Sequence, residues 1–173
     1  MMQALHPIEP IDYLVIGHIT QDKNPGGFTP GGTAAYAALT ARALGQRVGI
    51  LTSFASDALL PDLEGIQVMN QPSETSTIFE NIYTAQGRQQ FTRAQAEALT
   101  PRQVPQSWLN TPIVHLGPIA NEIDTAFFRV FTDNFVGVTA QGWYRSWDAN
   151  SLVSFQDWIE ASHFLQQTNA VVL

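Results

Sequence analysis

A glycine-bounded, alanine-rich segment at residues 31–45 constrains the fold of this chain more than any other stretch of its sequence. It opens with Gly31 and Gly32, closes with Gly45, and holds six alanines, which are strong helix formers. Paired glycines allow close backbone approach, and a glycine after a helix suits the left-handed residue that often ends one. The sequence predicts a tight turn followed by a helix whose first free amides face that turn. Because alanines occur on nearly every side, we expect this helix to pack between other elements.

Apolar runs flank this segment and recur along the chain. Residues 13–17 and 47–52 each have the length and composition of a buried strand, so the region predicts a βαβ unit. Further strands are predicted at 66–70, 113–117, 135–139 and 170–173, and helices at 123–131 and 155–167. This alternation favours a mostly parallel α/β sheet, in which ligands bind at the carboxyl ends of the strands.

Two stretches break the alternation of strands and helices. Residues 18–30 are dense in turn-forming residues and predict a loop. Residues 76–93 place β-branched and aromatic residues on both sides of Gln86 and Gly87, which predicts a β-hairpin appended to the main sheet. Polar residues alternate along the hairpin, so we expect one of its faces to be open to solvent or ligand.

Composition narrows the possible functions. The chain has 173 residues, which suits one domain, and its 45% apolar and 13% charged residues are typical of a globular protein. The net charge of −7 and the single lysine argue against a nucleic-acid surface. The absence of cysteine excludes disulfides, zinc–thiolate sites and a cysteine nucleophile. There is no secretory signal, no apolar run of the ~20 residues that span a membrane, and no metal-ligand spacing, so we expect a cytoplasmic protein.

Several motifs resemble the amino-terminal half of the PfkB (ribokinase-like) carbohydrate kinases. They are Gly-His-Ile-Thr-Gln-Asp at 17–22, Gly-Gly-Thr-Ala-Ala-Tyr-Ala-Ala at 31–38, Leu-Gly at 44–45, and Val-Gly-Ile at 48–50 with Asp57. Kinases of this family transfer the γ-phosphoryl group of ATP to a hydroxyl of a sugar, polyol or nucleoside. The resemblance covers roughly residues 12–173. It implies a three-layer α/β/α sandwich with a small β lid, which the hairpin at 76–93 would supply, and it implies ATP and Mg²⁺ as cofactors.

The sequence also departs from the family pattern. Tyr36 stands where the family has a substrate-binding asparagine, and the stretch at 18–30 is shorter than in many members. The Gly-Ala-Gly-Asp-like turn of the family's ATP-binding half has no counterpart in residues 1–173. The resemblance therefore implies the amino-terminal, substrate-binding part of one kinase domain, incomplete at its carboxyl end and without a catalytic residue of its own. We expect no phosphoryl transfer by this chain alone, and a possible homodimer through the lid or an open sheet edge.

The residues that the resemblance places at the substrate can be named. They are Asp22, Gly31, Gly32, Tyr36, Asp57 and Asn81. The glycines alternatively form only a tight turn. Asp22 alternatively caps a turn, Asp57 alternatively caps a following helix, and Asn81 alternatively lies on the surface.

Three further side chains lie at predicted strand ends. Arg145 follows the strand at 135–139 and is a candidate to face phosphate, with a surface salt bridge as the alternative. His18 and His115 are predicted to be hydrogen-bonded core residues rather than ligands.

Three functional hypotheses remain at this point. The first is a sugar or polyol kinase, and the second is a nucleoside kinase of the same fold, in which Tyr36 or Phe79 would stack on a base. The third is a non-catalytic ligand-binding or dimerising remnant without the ATP half. A dinucleotide-binding domain is disfavoured, because no G-x-G-x-x-G motif follows the first strand.

Overall fold

Residues 8–173, the part of the chain that the computed structural model describes, form two main sheets and two α-helices. In chain order the strands are β1 (Tyr13–Ile16), β2 (Thr20–Asn24), β3 (Gly27–Gly31), β4 (Val48–Phe54), β5 (Gln67–Pro72), β6 (Ile78–Thr84), β7 (Gly87–Ala94), β8 (Ile113–Leu116), β9 (Phe135–Thr139), β10 (Arg145–Trp147), β11 (Val153–Phe155) and β12 (Ala170–Val172). The helices are α1 (Thr33–Ala43) and α2 (Ala161–Leu165), and single 3₁₀ turns lie at Pro101–Gln103, Gln106–Trp108, Thr125–Arg129 and Ala140–Gly142.

The main sheet confirms the predicted parallel α/β core. Its six strands run in the order β12-β9-β8-β1-β4-β5, and every neighbouring pair is parallel. The first strand lies near the centre, where Val15 pairs with Ile50 on one side and His115 on the other. The βαβ unit predicted around residues 31–45 thus joins two adjacent strands of this sheet, β1 and β4.

Helix α1 covers one face of the sheet. Its buried alanines (Ala34, Ala35, Ala38 and Ala41) pack on Val15 and Ile50. The expectation that this helix packs between other elements is wrong for its outer side, where Tyr36 is 63% exposed. Alanine does not indicate which side of a helix is buried, since it suits buried and exposed helix positions alike. Within residues 8–173, no helix combines the length and apolar character needed to cross a bilayer.

The opposite face of the sheet is covered mainly by turns and aromatic side chains. Phe128 stacks on Phe164 of α2 at 5.1 Å, and Trp143 lies 4.5 Å from Trp158 between ring centres. The helix predicted at 123–131 is instead the 3₁₀ turn Thr125–Arg129, and the helix predicted at 155–167 is shortened to Ala161–Leu165. Short helices depend on tertiary packing, and the aromatic cluster here buries its apolar side chains without longer helices.

The second sheet has the strand order β3-β2-β6-β7. Strands β6 and β7 are the two arms of the predicted hairpin, which is confirmed as separate from the main sheet. The prediction of a loop at 18–30 is wrong, because β2 and β3 form another antiparallel hairpin there. Pro25 and Gly26 form the turn, while the other turn-forming residues, such as Asn24 and Gly27, pair in register within the two strands.

Candidate functional site

A cleft forms where the second sheet meets the carboxyl edge of the main sheet. Asp22 and Phe79 are register partners and share one face of the second sheet. That face packs on Ile119, which follows β8, while Gln141, which follows β9, reaches Thr33 at the start of α1. We call the region around Asp22, Gly31, Thr33, Gln141 and Arg145 the inter-sheet cleft; its open space is a groove lined by Thr33 and Gln141 and a cavity lined by Gln141 and Arg145.

Asp22 and Gly31 meet at one end of this cleft. The hairpin of β2 and β3 brings Gly31, the last residue of β3, back beside Asp22. A Cβ atom on Gly31 would lie 2.7 Å from Asp22 Oδ2 and 2.9 Å from Thr20 Oγ1. A side chain at position 31 would have to displace the Asp22 carboxylate or the Thr20 hydroxyl, so glycine allows the carboxylate to lie against the backbone.

The Asp22 carboxylate has no hydrogen-bond donor among residues 8–173, although its side chain is only partly exposed. Burial raises the pKa of this carboxyl above its ordinary value of 3.8, and the positive charges of Arg145 and Arg88 partly oppose that shift. A partly desolvated carboxylate without protein donors is suited to accept hydrogen bonds from ligand hydroxyl groups.

Gly32 fixes the approach of the chain to α1. It adopts φ +93°, and a Cβ atom there would collide with the carbonyl oxygen of His18. Both its backbone conformation and its surroundings therefore require glycine. The first turn of α1 has no side-chain cap and no acidic residue, so its amides form a positive pole beside the cleft.

Arg145 enters the cleft from the start of β10. Its Nη1 donates to the carbonyl oxygen of Ile119 at 3.0 Å, and its Nη2 donates to Gln141 Oε1 at 3.1 Å. The guanidinium also lies 5.5 Å from the centre of the Phe79 ring. The alternative of a surface salt bridge is wrong, because no carboxylate of residues 8–173 lies within 4.0 Å of this side chain. Burial, followed by the nearby charge of Arg88, lowers the pKa of Arg145.

The other proposed substrate-binding residues lie farther apart. Asn81 lies on the inner face of the hairpin, where its side-chain oxygen accepts from Gln90 Nε2 at 3.1 Å. Tyr36 borders a groove of about 640 Å³ that includes Gly32 and Gln141. Asp57 is exposed beside a separate depression. No helix lies between Asp57 and β5, so the interpretation of Asp57 as a helix cap is wrong.

The two histidines are hydrogen-bonded as predicted. His18 is fully buried between Thr77 Oγ1 at 2.7 Å and the carbonyl oxygen of Glu97 at 2.9 Å. His115 is partly buried and bridges the Tyr13 hydroxyl, at 2.7 Å, to Thr139 Oγ1, at 2.9 Å. Both ring nitrogens of each histidine therefore have hydrogen-bond partners within the protein.

Sequence reasoning missed Glu122, a buried carboxylate beneath the cleft. This residue is 1% exposed and accepts hydrogen bonds from the backbone amides of His18, Ile119 and Ala120 at 2.7–3.1 Å. It ties the loop after β1 to the loop after β8, and the Ile119 carbonyl in turn holds Arg145. A glutamate in an ordinary loop sequence carries no signal for such a role.

Arg88 is the second residue that sequence reasoning missed. It lies at the start of β7 and lines, with Arg145, a cavity of about 700 Å³ at the other end of the cleft. The predicted Gln86-Gly87 turn places Arg88 at the start of a strand. Arg145, which lines the same cavity, comes from a distant part of the chain, so the sequence did not indicate that the two lie together.

The described residues do not fit a protein-held metal ion. Within residues 8–173, no three His, Asp or Glu side chains converge in a way that would hold one.

Comparison with known proteins identifies the fold. No family model and no curated protein sequence matches the chain. A solved pyrophosphate-dependent kinase of the ribokinase family, complexed with a pyrophosphate analog and myo-inositol, is similar with 22% identity and a TM-score of 0.76 over 92% of this chain and 60% of that one. The fructokinase of Halothermothrix orenii is similar with 15% identity and a TM-score of 0.56 over 92% of this chain and 66% of that one.

A third solved structure extends the likeness to an enzyme bound to both its ligands. The ribokinase of Arabidopsis thaliana, complexed with ribose and ATP, is 14% identical, with a TM-score of 0.53 over 77% of this chain and 54% of that one. This chain therefore spans 60% of the length of the pyrophosphate-dependent kinase. With its mostly parallel sheet and separate small sheet, this chain has the ribokinase-like α/β fold.

Proposed function

We propose that this chain is the acceptor-binding part of a ribokinase-like kinase that phosphorylates a hydroxyl group of a sugar or polyol. The observation that carries the proposal is the Asp22 carboxylate, which is partly buried in the inter-sheet cleft and has no donor among residues 8–173. Sugars and polyols present adjacent hydroxyl groups, and a carboxylate accepts two of them in charge-assisted hydrogen bonds.

The surroundings of Asp22 suit this role. Gly31 leaves room for the carboxylate against the backbone, and the positive pole of α1 lies next to it. In the proposal, Gly31, Gly32 and Asn81 border the acceptor together with Asp22, and the second sheet acts as the lid that limits water. Asp57 stays a weaker candidate, because it lines a different depression.

The phosphoryl donor is proposed to be ATP, as in the family that the sequence resembles. The similar solved structures include a pyrophosphate-dependent kinase and a ribokinase bound to ATP, so pyrophosphate is the alternative to be tested. Transfer of a phosphoryl group depends on positioning and on neutralising its charge, and Arg145 is proposed to face that group.

A nucleoside acceptor is the second candidate. The Tyr36 ring is 63% exposed beside Gly32, so it is free to stack on a base. Phe79 is not suited to that role, since it is 2% exposed beneath Arg145.

Calorimetric titration tests the proposal. The 173-residue chain would be titrated with myo-inositol, ribose, fructose and adenosine, alone and as the variants Asp22→Asn and Asp157→Asn. We expect a sugar or polyol to bind, Asp22→Asn to weaken it about tenfold or more, and the exposed Asp157→Asn to leave it unchanged. Equal affinity of the two variants for the ligand would show that Asp22 is not part of the binding site.

Two further readouts separate the alternatives. Binding of adenosine alone, lost in Tyr36→Ala, would favour the nucleoside kinase. Consumption of ATP or of pyrophosphate would also be assayed in the presence of the bound acceptor, with any further domain of the protein added. This assay separates a kinase from a non-catalytic binding protein.

A further inference from the structure

The cavity at the far end of the inter-sheet cleft contains two arginines. Arg88 reaches it from the hairpin, and Arg145 reaches it from β10. Amides and hydroxyls complete its polar lining, with Gln90, Gln141 and Ser154 among them. Its volume of about 700 Å³ is large enough for a small polyhydroxylated ligand.

These two arginines share a cavity that is lined by no Asp or Glu side chain of residues 8–173. The net charge is −7, and four of the eight basic side chains pair with carboxylates: Lys23 and Arg93 with Glu80, Arg42 with Asp62, and Arg47 with Asp12. Among the described residues, no carboxylate lies within 4.0 Å of either Arg88 or Arg145. The carboxylates of Asp22 and Glu122 act on Arg145 only from beyond ion-pair distance, and Arg88 adds a second positive charge, so an anion bound in the cavity is electrostatically favoured.

Arg145 is also oriented in advance. Two of its N–H groups are held by Ile119 and Gln141, and the ring of Phe79 supports its plane. The remaining N–H groups are available to a ligand. Arg88 is exposed at the edge of the hairpin and retains the freedom to close on that ligand. Planar guanidinium groups bind phosphate oxygens in pairs, which makes this geometry well suited to a phosphate.

We propose that Arg88 and Arg145 form an anion subsite that binds a phosphate group of the ligand whose hydroxyls contact Asp22. This inference deepens the proposed function and rests on it. The phosphate belongs either to the donor, as the group being transferred, or to the acceptor, as a phosphate ester that it already carries. In both cases the subsite selects for phosphate chemistry next to the hydroxyl-binding end of the cleft.

Calorimetry at low salt tests the subsite with inorganic phosphate, pyrophosphate, a neutral polyol and the same polyol as its phosphate ester. Arg88→Gln is the informative variant, because the exposed Arg88 side chain holds no other residue in place. We expect it to weaken phosphate binding about tenfold or more, and Arg88→Lys to restore part of the loss. Arg102→Gln is the matched control, since it removes the same charge from an exposed position outside the cavity.

The source of the phosphate follows from the other ligands. A polyol phosphate that binds more tightly than the neutral polyol, and loses this gain in Arg88→Gln, assigns the phosphate to the acceptor. Pyrophosphate binding that depends on Arg88, without such a gain, assigns it to the donor. Phosphate binding that is absent, or equal in Arg88→Gln and Arg102→Gln, overturns the subsite.

The failure of this subsite is distinguishable from the failure of the proposed function. Neutral polyol binding that depends on Asp22 but not on Arg88 leaves the proposed function in place and removes the subsite. Conversely, phosphate binding that depends on Arg88, with no binding of any sugar, polyol or nucleoside, overturns the proposed function and the assignment of the phosphate to its ligand.

Discussion

The carboxylate of Asp22 lies against the backbone of Gly31, so close that a Cβ atom on Gly31 would stand 2.7 Å from Asp22 Oδ2. The two residues belong to the two strands of one hairpin, β2 and β3, and α1 begins directly after it. This contact places a carboxylate beside the positive end of the helix. Its consequences for stability and for ligand binding can be measured separately.

Substitution of Gly31 tests that contact. We expect Gly31→Ala to displace the Asp22 carboxylate, to lower the unfolding free energy by about 1–3 kcal/mol, and to weaken acceptor binding. Chemical denaturation and calorimetry measure the two effects. Gly137→Ala is the control, because a Cβ atom there meets nothing within 4 Å, and we expect it to change neither quantity appreciably. A Gly31→Ala protein with unaltered acceptor affinity would contradict the placement of Asp22 at the ligand.

Removal of the Asp22 charge should stabilise the fold while impairing binding. Because burial raises the pKa of Asp22 above its ordinary value of 3.8, the folded state binds the proton more tightly than the unfolded chain does. The charged form therefore opposes folding once the pH rises through the folded-state pKa. We expect Asp22→Asn to unfold at a higher denaturant concentration at pH 7, with a difference that shrinks toward pH 4. A less stable Asp22→Asn protein at pH 7 would show that a folded-state interaction holds the carboxylate.

His115 should make stability depend on pH in the opposite sense. Burial lowers its pKa below the ordinary value of 6.5, so the unfolded chain binds the proton more readily. The unfolding free energy should therefore be fully present above pH 6.5 and fall as the pH drops through this value toward the folded-state pKa. We expect His115→Gln to reduce that slope and the exposed His163→Gln to preserve it, as measured by denaturation between pH 5 and 8.

Glu122 should matter for stability although it does not face the cleft directly. Its carboxylate accepts from three backbone amides while buried, so Glu122→Gln leaves at least one amide facing an N–H group. We expect a loss of about 1–3 kcal/mol in unfolding free energy, because a buried amide loses its acceptor. Denaturation of this variant beside the exposed Glu64→Gln measures the loss, and similar stability of the two would show that the amides find other partners.

Local patterns predicted the elements that matter most for the site. The glycines at 31 and 32 with the alanine run predicted the turn and α1, and period-two alternation around Gln86 and Gly87 predicted the hairpin. Both signals arise from backbone preferences of neighbouring residues. The helices predicted at 123–131 and 155–167 were wrong or too long because packing in the aromatic cluster decides their conformation.

The sequence by itself determined the alternation of strands and helices, the βαβ unit and the glycine turn at the start of α1, since these follow from residue type and local spacing. Only the tertiary structure decided which side chains share the cleft. The hairpin of β2 and β3 turns Asp22 toward Gly31, and the pairing of β2 with β6 brings the hairpin and Arg88 over Arg145. Strand register and sheet order determine these contacts. The residues that they bring together are distant in the chain, so no local sequence pattern indicates the contact.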